Sequence, residues 1–158
     1  MPKLGMEPIR RAEAINGALE CFCDYGIDKT TLEMVAQRAG FSKGIVAYYF
    51  KTKRQLILEC LKAFMSSYNL KIGSSITRDM TPEQMVKVVI DISLPPLGEE
   101  NDDSINVSIL EGVEKICLPE KKIANLFGQF LSKSAIDEEI KKILSGIYES
   151  DIQGIAKL

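Results

Sequence analysis

The chain has 158 residues, 46% hydrophobic and 27% charged, enough for a sizeable apolar core in one or two small domains. No apolar run approaches the ~18 residues a membrane span needs, and the opening Met1-Pro2-Lys3-Leu4-Gly5-Met6 has neither the apolar stretch nor the cleavage site of a signal peptide, so a cytoplasmic protein is expected. The formal net charge of −2 conceals a split: ten Lys/Arg against seven Asp/Glu over residues 1–62, and ten against fifteen over 63–158. With no histidine, no phosphate loop, no G-x-S-x-G elbow and no defensible carboxylate pair, neither an enzyme, a metal site nor a cofactor is expected. Cysteines at 21, 23, 60 and 117 form no zinc or disulfide pattern and read as packing residues.

In chain order, the spacing predicts a first helix from about Pro8 to Gly26, with Ala12, Ile15, Leu19 and Phe22 as its apolar stripe. Thr30 is expected to open a second helix, with Glu33 three residues on as its capping-box partner. Leu32, Val35, Ala36 and Ala39 give that helix its buried face, and Gly40 ends it. The turn Gly40-Phe41-Ser42 follows, with Ser42 expected to cap a short third helix extending to about Tyr49. Thr52 and Gln55 are spaced as a second capping box for a long fourth helix, whose stripe is Leu56, Cys60, Leu61, Phe64 and Tyr68. Gly73-Ser74-Ser75 reads as a break. Thr81-Pro82-Glu83-Gln84 starts another helix, packed through Met85, Val88, Val89 and Ile92 and stopped by Pro95-Pro96. An acidic loop from Gly98 to Asp103 precedes helices at about 104–117, 121–134 and 136–158, separated by Pro119 and the Ser134 region. The fold class read from these periods is all-α.

Residues 34–58 carry no acid but hold Arg38, Lys43, Lys51, Lys53 and Arg54, a window suited to a phosphate backbone. Two short helices joined there by a tight glycine-containing turn describe a helix-turn-helix. The run Thr30-Thr31-Leu32-Glu33-Met34-Val35-Ala36-Gln37-Arg38-Ala39-Gly40-Phe41-Ser42-Lys43-Gly44-Ile45-Val46-Ala47-Tyr48-Tyr49-Phe50-Lys51-Thr52-Lys53-Arg54-Gln55-Leu56 resembles the signature of TetR-type repressors. The match lies at the threonine pair, Ala36, Ala39-Gly40, Ser42, Lys43-Gly44, Phe50, Lys53 and Leu56, with Phe22 and Gly26 where that family expects them. The opening from Pro2 to Arg11, with Gly44-Ile45 and Tyr49-Phe50, is similar to the BetI-like glycine-betaine repressor branch. The resemblance covers about residues 2–65.

The resemblance implies a three-helix DNA-binding domain over residues 1–53 and a helical ligand-binding and dimerisation domain over 54–158. It implies a homodimer that occupies a palindromic operator on double-stranded DNA and is released by a small-molecule inducer. Thr30, Thr31, Ser42, Lys43, Gly44, Ala47, Tyr48, Tyr49, Lys51 and Lys53 are the expected DNA-binding residues. Lys43 can donate to a guanine edge, Gly44 lets the backbone approach the groove, and Tyr48 and Tyr49 bring phenol hydroxyls to phosphates or bases. Thr31, and the start of the fourth helix with Lys53, would grip phosphates. Relatives often carry a tyrosine or another hydrogen-bonding residue where this chain has Ala47, so methyl packing is expected there. Val46 and Phe50 belong to the core.

For the inducer the sequence offers Phe127, Phe130 and Tyr148. A quaternary ammonium ligand calls for an aromatic cage, and no tryptophan is present, so a mostly apolar inducer is favoured. The stripe Ile140, Ile143, Ile147, Ile152 and Ile155 reads as a helix still in progress at Leu158. A C-terminally shortened family member is therefore expected, self-associating through the exposed part of that stripe. The alternative reading is a truncated binding module without ligand control, acting through weak DNA binding or heterodimerisation.

Overall fold

In the computed structural model, residues 6–94, 105–107, 116–118 and 120–156 are described. Seven helices are found among them: α1 (Glu7–Tyr25), α2 (Leu32–Ala39), α3 (Lys43–Tyr49), α4 (Lys53–Ser75), α5 (Pro82–Ser93), α6 (Glu120–Ser134) and α7 (Glu138–Ala156). The fold class is all-α.

Local chemistry sets most helix boundaries. Pro8 stands at the start of α1, where a missing N–H costs nothing, and Gly26 closes the helix with its amide on the Phe22 carbonyl at 2.9 Å. Gly40 takes the left-handed conformation (φ 72°) that ends α2, and the Phe41 N–H reaches back to the Ala36 carbonyl at 2.8 Å. That pairing turns the chain sharply into α3. At α5 the capping box is complete, with Thr81 and Gln84 each bonding the other's backbone N–H.

Several expected boundaries move. Thr31, not Thr30, caps α2, accepting from Met34 N at 3.2 Å. Thr30 is 1% exposed, and its hydroxyl donates to the Gly26 carbonyl at 2.8 Å. Of two adjacent threonines, the one that could satisfy itself on α1 went inside. Glu33 makes no box. Ser42 gives α3 no side-chain cap bond; its carbonyl accepts from Ile45 N and Val46 N instead. Thr52 caps α4 through Gln55 N, while Gln55 Oε1 accepts from Lys51 N rather than from Thr52, so the second box is half-formed. Gly73 itself does not interrupt α4, which ends at Ser75 within the expected break, where the Ser74 and Ser75 hydroxyls turn back to the Lys71 carbonyl.

The helix expected over 104–117 is replaced where described by an antiparallel pair, β1 (Ile105–Val107) and β2 (Ile116–Leu118), in register Ile105 with Leu118 and Val107 with Ile116. β-Branched residues alternating about Asn106 favour the extended form. The Pro95-Pro96 stop, the 98–103 loop and Pro119 lie outside the described residues.

One continuous core joins the elements. The predicted stripes of α1 and α4 are buried as expected, Ala12, Ile15, Leu19 and Phe22 in α1 and Leu56, Cys60, Leu61, Phe64 and Tyr68 in α4. α1 crosses α2 so closely that a Cβ on Gly17 would lie 3.2 Å from both Cβ and N of Ala39. From Val35, Val46 and Phe50 the packing runs through Leu19 and Phe22 to Phe64, Leu126, Phe130, Ile140 and Leu144. Each such side chain contributes roughly 1.5–3 kcal/mol by leaving water. Ile140 is 2% exposed and Ile143 and Ile147 are partly buried, so that part of the expected stripe packs inside the fold; Ile152, 66% exposed, faces out, and the Ile155 side chain lies outside what the structure describes.

Candidate nucleic-acid interface

The α2–turn–α3 unit has two faces because α3 is short and its periodicity is strict. Val46, Tyr49 and Phe50 turn inward, at 0%, 6% and 0% exposure. Lys43, Gly44, Ala47 and Tyr48 are exposed, forming the outer side of the helix with the exposed Ser42 just before it. Tyr48 is 64% exposed, unusual for an aromatic residue, and its ring stands edge-on to Tyr49 at 5.3 Å. Behind α3, the Arg11 guanidinium lies 5.0 Å from the Phe50 ring centroid and pairs with Glu59 at 3.2 Å. α3 is thus pinned from within and open without.

Of the ten expected DNA-binding residues, Thr31, Ser42, Lys43, Gly44, Ala47, Tyr48 and Lys51 are exposed and Lys53 is partly exposed, while Thr30 and Tyr49 are turned inward. Tyr49 is a core-edge ring packed against Tyr48 and Phe50. Thr31 remains exposed, and since its oxygen only accepts in the α2 cap, its O–H is left to donate outward.

The basic window is less free than its composition suggests. Arg38 ties α2 to α1 through Glu20 at 3.1 Å and Asp24 at 2.9 Å, which holds its guanidinium above the ordinary range. Arg54 binds Asp137 bidentately and Glu139 at 2.9 Å. The Arg54 bonds pull Asp137 down to about 2. Lys53 Nζ donates to the Asp28 carbonyl at 2.7 Å, and partial burial lowers its pKa. Lys43 meets Glu33 at 3.4 Å. Lys51 is exposed, with no side-chain partner among the described residues. These acidic partners all lie outside residues 34–58, on other elements, and no count within the window could have found them.

Several of the same contacts fasten the head to α6 and α7. Gln129 of α6 accepts from Ile27 N at 2.8 Å and donates to the Phe22 carbonyl at 2.9 Å, clasping the corner between α1 and α2. Lys122 pairs with Asp24 at 2.9 Å, and Lys133 with Asp28, lowering the pKa of both aspartates.

In the body, Phe127 and Phe130 join α4 rings absent from the sequence reading of the ligand site. Tyr68 stacks on Phe127 at 5.5 Å, Phe64 lies 5.8 Å from Phe130, and the Tyr68 hydroxyl meets Ser93 of α5. Phe130 is fully buried, whereas Tyr148 is 37% exposed on α7. The Cys23 thiol, half-buried, is pushed up to about 12 mainly by burial, and burial also raises Cys21 and Cys60. No helix among the described residues is long and apolar enough to cross a membrane.

A capped helix, a left-handed glycine and a second helix with one basic, phenolic outer face define a helix-turn-helix. Residues 14–60 match the profile of bacterial regulatory proteins of the tetR family. The chain's similarity runs to the branch called BetI. It is 35% identical to the HTH-type transcriptional regulator BetI of Cronobacter sakazakii over 71% of this chain and 46% of that protein. Against BetI of Klebsiella pneumoniae identity is 46%, over 36% of this chain and 29% of the relative. The chain spans about half the length of the first curated relatives it matches. Among solved structures, a transcriptional regulator from Rhodococcus sp. Rha1 superposes with a TM-score of 0.70 at 16% identity, covering 91% of this chain and 66% of the other. A structure from Saccharomonospora viridis, in complex with choline, gives 0.69 at 15% identity over 93% and 66%. At these identities the two structures speak to the fold alone.

Proposed function

We propose that this protein binds double-stranded DNA through the outer face of α3 and represses transcription, with residues 1–53 as the reading head and 54–158 as the ligand-binding and dimerisation domain. The observation that carries the reading is the division of α3: Val46, Tyr49 and Phe50 hold the helix in the core, while Lys43, Gly44, Ala47 and Tyr48 present a small basic surface that the fold itself does not use. A helix so presented fits the major groove. Lys43 and Tyr48 make the base and groove contacts. Thr31, Ser42, Lys51 and Lys53 position the head on phosphates.

The protein acts as a homodimer on a palindromic operator, its two recognition helices about one DNA turn apart. A small-molecule inducer that prefers another spacing of the heads releases it. The inducer sits against the body, with Phe127 at its edge, and is mostly apolar: the facing sides of Tyr68 and Phe127 are already occupied by each other. Choline, present in the Saccharomonospora viridis structure, is the cationic ligand to set against this reading.

Enrichment of duplexes from a random pool, followed by fluorescence anisotropy with and without choline, tests the proposal. The expected product is an inverted repeat whose affinity choline leaves unchanged. Lys43→Ala should relax one position per half-site, at ~1–3 kcal/mol for the lost base contact. Failure to enrich any sequence would remove the DNA-reading function, and release by choline would replace the apolar inducer with a cationic one.

A further inference from the structure

Lys43 is the basic residue at the head of the recognition helix, and among the described residues one carboxylate alone comes within ion-pair distance of it. That carboxylate is Glu33, in the first turn of α2, 3.4 Å from the Lys43 ammonium. Glu33 has one modest structural role, as an acid in the first turn of α2 that suits the helix N-terminus, and that role calls for no partner on α3. Its side chain is 74% exposed, and the α2 cap is made by Thr31 and Met34 N without it. Lys43 is 66% exposed in its turn. An exposed pair of this kind adds little to stability. Its consequence is electrostatic: the front of the head, in a stretch otherwise free of acid from residue 34 to 58, carries a cation already matched by an anion.

We propose that Glu33 is a specificity-determining residue, which withholds Lys43 from phosphates and leaves it available to a base edge; the inference rests on the DNA-binding reading above. An ammonium has three donors, so Lys43 can keep Glu33 and still donate to O6 and N7 of a guanine. The guanine edge is neutral and tolerates the carboxylate beside it. A phosphate is anionic, and a Lys43 drawn to it carries Glu33 towards a like charge. A pair of zero net charge releases no counterion, so Lys43 adds nothing to the sequence-independent attraction that dominates binding to random DNA. Glu33 thereby separates the two ways a lysine can hold DNA.

The test compares the parent with Glu33→Gln, Glu33→Asp, Lys43→Ala and the double variant Glu33→Gln/Lys43→Ala. Two probes are used: a duplex enriched from a random pool by the parent, and an unselected mixed-sequence duplex, each titrated over a salt series. Glu33→Gln should tighten the mixed duplex about three- to tenfold and steepen its salt slope by about one unit, lowering the ratio of enriched to mixed affinity. Glu33→Asp, which keeps the charge, should behave as the parent. Lys43→Ala, which leaves Glu33 bare, should weaken the mixed duplex in the parent, and in the Glu33→Gln background it should remove the added unit of slope. Circular dichroism should be the same throughout, as both side chains are exposed. An unchanged mixed-duplex slope in Glu33→Gln overturns the proposal. So does a loss on the enriched duplex without gain on the mixed one, which would make Glu33 a base-reading residue itself. A parent that binds neither duplex overturns the DNA-binding reading with it.

Discussion

The head and the body of this molecule solve opposite problems with the same kind of helix. In the head, inward residues lie close together in sequence: Phe22, Val35, Val46, Phe50 and Leu56 are gathered by two tight turns, and the outer face of α3 is left over as a surface. In the body the central contacts join distant stretches, as where Tyr68 of α4 stacks on Phe127 of α6. A surface made by one short helix is visible in one short motif. A cluster assembled from several helices shows only in three dimensions.

The contrast is broken most forcefully in the body. Phe130 is fully buried against Phe64, so Phe130→Ala should cost about 3–5 kcal/mol in urea unfolding. A cost below about 1 kcal/mol would mean that the ring borders a void and stands free to meet a ligand. In the head, α1 and α2 cross at close range through Gly17 and Ala39. Gly17→Ala would put a methyl 3.2 Å from Ala39 Cβ and backbone N; with the ~1 kcal/mol that alanine gains in a helix set against this crowding, a net destabilisation of about 1 kcal/mol is expected in the same assay. An unchanged midpoint would show that α2 can shift on α1.

Thr31 and Ser42 sharpen the comparison within the head, since both precede a helix and only one caps it with its side chain. Thr31→Ala should cost about 1 kcal/mol of stability. Ser42→Ala should stay within about 0.5 kcal/mol, any effect falling on DNA affinity instead. The smallest effect is acid-dependent. Asp24, Asp28 and Asp137 are all lowered by their basic partners, Asp137 to about 2. A carboxylate lowered in the folded state contributes stability above its unfolded value, about 4, and loses it as pH falls towards the folded value. Unfolding midpoints should therefore decline between about pH 4 and pH 2, and Asp137→Asn, which keeps an acceptor at the start of α7, should flatten that decline.

The fold was largely legible because stripes and caps are local. The buried faces of α1 and α4 and the Thr81–Gln84 box are where periodicity and spacing put them. The Thr30–Glu33 spacing points to Thr30 as the cap of α2, but Thr30 is buried with its hydroxyl on the Gly26 carbonyl and Thr31 caps instead. At 105–107 and 116–118 the helical reading gave way because β-branched alternation prevailed over a short stretch of weak helical period. Of the candidate site, α3's outer residues could be read from the motif. The partners of Arg54 and Lys53 could not, for Asp137, Glu139 and the Asp28 carbonyl are brought in by packing. Tyr68 could not be read as a ligand-site neighbour because it lies on α4, far before Phe127 in the chain, and only packing stacks the two rings.

The clasp made by Gln129 gives the molecule a built-in reporter. The Ile27 amide proton is held by a side chain of α6 and not by any helix ladder, so its exchange with solvent follows the docking of α6 on the head. The Gly26 amide, one residue before it, is held by the Phe22 carbonyl within α1's own end. Two neighbouring amides thus time two separate openings, and their ratio reads how often the body lets go of the head while the head itself remains folded.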